Sequence, residues 1–303
     1  MTTTVAGGRG GARRRFDPTI LLFVSPTLIL LLVFVAYPFL RAIWLSLTKT
    51  TLLGGTVGFL GFDNFVALFQ DPQFGAFVGN SVFWTVGGVS LQLIFGVIGA
   101  LLLNQKFRLR GTVRGLAMIP WATPSVLVAL IWLWLLDPNR GLVNTVLEHL
   151  GIMTHPVAWL SDAHTALPTL IVIDAWQGIP FFAVMVLAAL QAVPEELKES
   201  ARTDGCGPLG VFRYVVVPSI LPTVLITLVL RLIWTANYID LAYVLTGGGP
   251  GIASTTIPLQ SYLTAYKQGQ LGSGAAYAVV QAVVLAILVV IYLRLTQTKG
   301  VKR

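Results

Sequence analysis

The sequence is short of charge. Of its 303 residues only 11% are Asp, Glu, Lys or Arg, against roughly 25% in an ordinary soluble domain. That shortage excludes a water-soluble enzyme of this length. Disorder is excluded too, because 55% of the residues are apolar and disordered chains are apolar-poor. Cysteine is almost absent. Cys206 stands alone, so no disulfide can form within the chain, and with three scattered histidines it gives no metal-ligand spacing. Acidic residues number 12 against 20 basic ones. The basic excess is not gathered into a patch, which a nucleic-acid face would require. A P-loop is missing as well, so no nucleotide hydrolysis is expected in this chain.

What is present is apolar sequence in long runs. A membrane-crossing helix needs roughly 20 such residues. Six stretches qualify, at about Thr19–Leu47, Phe77–Asn104, Thr112–Leu136, Ala166–Gln191, Pro218–Leu245 and Gly274–Leu295. Fifteen Lys and Arg residues fall before the first run, in alternate loops, and after the last, among them Arg13, Arg14, Arg15, Lys106, Lys198, Arg202 and Arg213. Four fall on the other side: Arg41, Lys49, Arg140 and Lys267. Basic residues accumulate in cytoplasmic loops. The expected fold is therefore an all-α integral membrane protein of six transmembrane helices with both termini in the cytoplasm. Residues 1–17, rich in Gly and Arg, read as a flexible tail, 18–296 as the membrane domain, and 297–303 as a second short tail. The apolar run after the Arg cluster is long and lacks a cleavage site, which makes it a retained helix and not a signal peptide. Pro26, Pro38, Pro120, Pro124, Pro180 and Pro222 are expected to kink or loosen the spans. The glycines around Gly54–Gly61 and the run Thr246-Gly247-Gly248-Gly249-Pro250-Gly251 read as turns in outer loops.

One inner loop is polar and patterned. Pro194-Glu195-Glu196-Leu197-Lys198-Glu199-Ser200-Ala201-Arg202-Thr203-Asp204-Gly205 has proline and two acids where a helix begins. Glu195 and Lys198, and Glu199 and Arg202, are three apart and suited to pairing. Gly205 is a natural stop. The pattern predicts a short amphipathic helix, either a solvated connector or a docking surface.

At these residues the chain resembles a known family. Glu199-Ser200-Ala201-x-x-Asp204-Gly205-Cys206, then Phe212 and Val217-Pro218, is similar to the EAA loop of permease subunits in bacterial ATP-binding-cassette importers, with the sugar branch of maltose-permease type the nearer likeness. Ser200 and Cys206 replace alanines of that pattern, and Val217 replaces a leucine. Gly61-Phe62-Asp63-Asn64-Phe65, Asn80-Ser81-Val82, Pro120-Trp121-Ala122-x-Pro124, Leu187 to Pro194, and Leu245 to Pro250 look like the same branch, in the same order. The resemblance implies a coupling loop at about 194–217 whose helix sits in a cleft of a cytoplasmic ATPase. Glu199, Ala201, Asp204 and Gly205 are the coupling candidates. It also implies a second homologous permease, two ATPase chains that hold ATP and Mg, an extracytoplasmic solute-binding protein, and a place in the bacterial cytoplasmic membrane. No cofactor is expected in this chain itself. The cargo implied is a carbohydrate, a di- or oligosaccharide first. Glycerol phosphate, a polyamine or another small solute is the alternative cargo, and an ion-coupled secondary transporter the alternative machine.

Polar groups inside a membrane usually face a cavity or the bundle interior. The fourth run carries Asp174, Trp176 and Gln177, and the fifth carries Arg231, Asn237, Tyr238 and Asp240. At 1.5 Å per residue, Asp174 and Asn237 lie roughly 25 Å from their cytoplasmic ends and Gln177 roughly 20 Å. Amides, carboxylates and aromatic faces meeting at one depth suit a sugar. Asn237, Tyr238, Asp240, Asp174, Trp176 and Gln177 are therefore the substrate candidates. A structural Asp174–Arg231 pair is the competing use of those charges. Trp44, Trp84, Trp121, Trp132, Trp134 and Trp234 read as packing or interface residues.

Overall fold

The computed structural model describes residues 18–300, with side chains over 22–294. The tail expected at 1–17, with its arginine cluster, lies outside the described residues, as do 301–303. Among the described residues five helices are long and apolar enough to cross a bilayer: Leu22–Ser46, Phe74–Leu103, Ala166–Gln191, Pro208–Leu245 and Leu271–Arg294. Arg110–Ala122 and Ser125–Leu135 make a sixth if counted as one span, although they meet at 92°. The expected third span is thus sharply broken. Thr123 is extended there, with φ −76° and ψ 130°, because the following Pro124 disfavours helical backbone.

Prolines elsewhere act more gently. Pro180 and Pro222 lie inside continuous helices. Pro38 and Pro218 each follow a π-helical turn, Leu32–Ala36 and Phe212–Val216. A proline ring crowds the carbonyl four residues earlier, here Phe34 and Tyr214, and the widened turn relieves that contact.

The second and fourth spans pack along their length. Glycine permits it, since a Cβ on Gly96 would run into Phe182 and the backbone of Ala183. Val89, Phe182, Val186, Leu190 and Ile220 fill one core, and Trp84, Leu170, Ile173, Leu241 and Leu259 another. The first span differs, because its most apolar stretch buries nothing against the rest of the chain. It meets the last span through Tyr37–Ser46.

The all-α expectation needs one correction. Thr48–Thr51 (β1) and Gly55–Phe59 (β2) pair as an antiparallel hairpin. The glycines there do turn the chain, but the β-branched threonines beside them build strands. Thr48 and Thr50 are buried and share a hydroxyl hydrogen bond of 2.8 Å. Thr50 and Thr56 share another of 3.0 Å.

Candidate substrate cavity and connecting helix

The fifth span breaks near its far end. Helix Val217–Ala236 stops at Asn237 and resumes as Asp240–Leu245. An interrupted helix leaves carbonyls without partners, and at membrane depth these must be satisfied inside the protein. Three side chains do so. Asn237 Nδ2 donates to Ile233 O at 2.8 Å, Trp84 Nε1 to Thr235 O at 2.8 Å, and Gln281 Nε2 to Ala236 O at 3.1 Å. The break in the third span is served likewise, for Gln177 Nε2 donates to Thr123 O at 3.3 Å.

Between the two breaks and the fourth span lies a cavity of about 380 Å³, within the roughly 300–1,000 Å³ range of small-molecule sites. Trp121, Thr123, Ser125, Asp174, Gln177, Arg231, Trp234, Thr235 and Tyr238 line it. Trp121 and Trp234 give the wall an aromatic part. Phe181, not itself a lining residue, joins the two rings, stacked on Trp121 at 5.6 Å and meeting Trp234 at 5.2 Å. Another part is amide and hydroxyl. Tyr238 donates to Gln177 Oε1 at 3.0 Å, and Ser125 Oγ donates to Asp240 Oδ2 at 2.8 Å. Thr235 is 1% exposed, and its hydroxyl has no hydrogen-bond partner. An unpaired buried hydroxyl costs about 1–3 kcal/mol, and a hydroxylated ligand would recover it.

Asp174 and Arg231 of the wall belong to a buried polar network. Gln92 of the second span is its hub. Its Nε2 donates to Asp174 Oδ2 at 2.8 Å, and its Oε1 accepts from Arg231 Nε at 2.6 Å. Arg231 Nη2 stands 3.8 Å from Asp174 Oδ1. The unequal depths of the two residues are bridged by the long arginine side chain. Gly178 makes the space, since a Cβ there would strike the guanidinium and the Gln92 amide.

The sequence candidates therefore divide. Asp174, Gln177 and Tyr238 converge on the cavity. Asp240 reaches it through Ser125. Asn237 is exposed and caps its own helix. Trp176, 40% exposed, is not among the lining residues and packs edge-on against Trp132. Trp121 and Trp234, read as packing residues, stand in the wall, and Gln92 and Thr235 went unnoticed. An amide inside an apolar run was the signal available for Gln92.

The amphipathic segment folds as Glu195–Thr203. Lys198 pairs with Glu195 at 2.9 Å, but Arg202 turns to Glu195 at 3.4 Å and not to Glu199. The Lys198 hydrogen bond, aided by both cations, holds the Glu195 carboxyl below its usual range. Glu199 and Asp204 are exposed and Ala201 is half-buried. The helix ends as the glycine-stop motif dictates. Cys206 N–H donates to Ala201 O at 2.9 Å and Gly205 N–H to Arg202 O at 3.1 Å, with Gly205 at φ +87°. Beside it a groove of about 820 Å³ runs between Leu197, Ala201 and Asp204 and the base of the fifth span at Pro218 and Pro222.

Comparison with known proteins gives this arrangement its context. The chain is 33% identical to a trehalose/maltose transport system permease protein of Thermococcus litoralis, over 90% of this chain and 92% of that one. It is 32% identical to a diacetylchitobiose uptake system permease protein of Streptomyces coelicolor, over 95% and 87% of the two chains. The same fold occurs in the crystal structure of a bacterial ABC transporter that imports the acidic polysaccharide alginate, with a TM-score of 0.81, 23% identity, and coverage of 93% and 96%. The family model described as binding-protein-dependent transport system inner membrane component matches residues 92–301. The chain belongs to that family of integral membrane transport components.

Proposed function

We propose that this chain is the permease subunit of an ATP-driven importer and that it passes a neutral carbohydrate across the cytoplasmic membrane. The observation that carries the cargo assignment is the cavity wall, which brings the Trp121 and Trp234 rings together with amide and hydroxyl groups, one of them unpaired. Such a wall suits a sugar ring with its apolar face and hydroxyl rim. The names of the permeases from T. litoralis and S. coelicolor point the same way. Charge disfavours the other cargoes. Asp174 and Arg231 offset one another, so a phosphate would meet a guanidinium already engaged, and a polyamine would meet that same cation.

In this reading the chain crosses the membrane six times with both termini in the cytoplasm. The Glu195–Thr203 helix docks on one of two ATPase chains, which hold ATP and Mg. Glu199 and Asp204 offer free carboxylates, Ala201 a close approach, and Gly205 the turn. A second homologous permease and an extracytoplasmic binding protein complete the machine. Transport then follows from unequal binding to two states, without covalent chemistry in this chain.

Native mass spectrometry of the tagged chain, expressed with its genomic neighbours, tests the assembly. One different permease and two ATPase copies are expected, with ATPase activity stimulated by a saccharide. A lone chain or homodimer without ATPase would sink the reading.

Two substitutions probe the wall. Thr235→Val is expected to raise half-saturation for uptake about fivefold, the worth of one hydrogen bond of roughly 1 kcal/mol. The melting temperature should not fall and should rise slightly, because a buried hydroxyl without a protein partner is removed. Asn237→Ala is expected to do the reverse, lowering stability by about 1 kcal/mol through its lost carbonyl bond while half-saturation stays within twofold. Uptake titrations and thermal melts of the two variants side by side would decide this.

A further inference from the structure

Beyond the cavity, three tyrosines and a lysine gather where the fifth span ends and the last begins. Tyr243 lies in Asp240–Leu245, Tyr262 ends helix Ile257–Tyr262, and Tyr266 and Lys267 belong to the π-helical turn Leu263–Lys267. Tyr243 and Tyr262 meet edge to face at 5.0 Å, and Tyr262 and Tyr266 lie 5.1 Å apart. Lys267 Nζ stands 5.6 Å from the centre of the Tyr243 ring.

The widened turn makes the cluster. In a regular helix of 3.6 residues per turn, a residue five positions on lies roughly 140° round the axis. A π turn bonds residue i to i+5 and brings them over one another. Lys267 is thereby placed on the side of Tyr262 and Tyr266. The turn is held from outside, since Leu52 N–H of the hairpin donates to Gly269 O at 2.8 Å and Gln270 N–H to Thr264 O at 3.0 Å. Wide turns of this kind occur frequently at functional sites. Tyr266 is 58% exposed, so its ring face is open.

The cluster is also joined to the cavity by a short stretch of chain. Tyr238 is a cavity wall residue, and Tyr243, in the helix that resumes after the break, is five residues further along. Tyrosine faces suit the C–H faces of pyranose rings, while phenol and ammonium groups hydrogen-bond the hydroxyls. We infer that Tyr262, Tyr266 and Lys267 form a second saccharide subsite at the mouth of the path, which holds the distal ring of a cargo longer than the cavity can enclose. This rests on the importer reading above.

The test uses the whole complex in proteoliposomes, with uptake measured for a mono-, di- and trisaccharide series of the transported sugar. Tyr266→Ala and Lys267→Gln are expected to raise half-saturation about tenfold for the trisaccharide and less than twofold for the monosaccharide. Tyr266→Phe, which keeps the ring and loses only the hydroxyl, should fall between wild type and Tyr266→Ala for the trisaccharide. Equal shifts at every length, or none, would overturn the subsite. So would a fall in assembled complex without length dependence, which would assign the tyrosines to anchoring in the lipid interface. A wild-type complex that transports no saccharide would sink the importer reading together with the subsite, and is recognised before any variant is made.

Discussion

Arg231→Met is expected to abolish uptake and to destabilise the assembled chain by about 3–5 kcal/mol, because it leaves the Asp174 carboxylate buried without its counter-charge. Arg231 is 7% exposed and Asp174 2%, so the carboxylate that remains is largely desolvated. Asp174→Leu should fail for the mirror-image reason. The double variant Asp174→Leu/Arg231→Met removes both charges and should regain most of the melting temperature, as buried ion pairs replaced by apolar residues often do. Its uptake should stay at least tenfold down, since both residues line the cavity as well as joining the fourth and fifth spans through Gln92. Full uptake by the double variant would confine the pair to holding helices together.

Gly205→Val should separate assembly from transport. At φ +87° a β-branched residue is a genuine outlier, and the left-handed conformation costs an L-residue about 1–2 kcal/mol. The helix Glu195–Thr203 would lose its stop, with the Cys206–Ala201 and Gly205–Arg202 bonds. Insertion should be unaffected, because the turn lies in the polar loop between the fourth and fifth spans. Uptake, and stimulation of the ATPase by cargo, should fall at least tenfold if this helix end docks on the ATPase. Gly205→Asn is the control, since asparagine tolerates left-handed backbone, and it should keep most of the activity. Wild-type transport by the valine variant would remove the helix end from the coupling path.

The two variants probe parts of the molecule that were unequally legible in the sequence. The helix at Glu195–Thr203 could be read almost to the residue, because its start, ion pairs and glycine stop are local. Only the choice made by Arg202 differed, since it joins Lys198 on the Glu195 carboxylate and leaves Glu199 to solvent. The cavity was legible in part. Asp174, Gln177 and Tyr238 declared themselves as polar groups in apolar runs, whereas Trp121 and Trp234 could not be told from interface aromatics. Asn237 carried the same signal as Tyr238. The carbonyl of Ile233, freed by the helix break, turned it into a cap.

By itself the sequence determined the number and place of the apolar runs, the amphipathic connector and its glycine stop, and which spans carry polar groups. All of these follow from hydrophobicity, charge and backbone preference over a few adjacent residues. Only the tertiary structure decided that Gln92 joins residues 82 and 139 positions away, that the third span turns through 92°, and that threonines flanking the glycines pair as strands. Those outcomes depend on which faces of distant helices meet. That choice is made by small residues such as Gly88, Gly96 and Gly178, where a single Cβ would strike the neighbouring span.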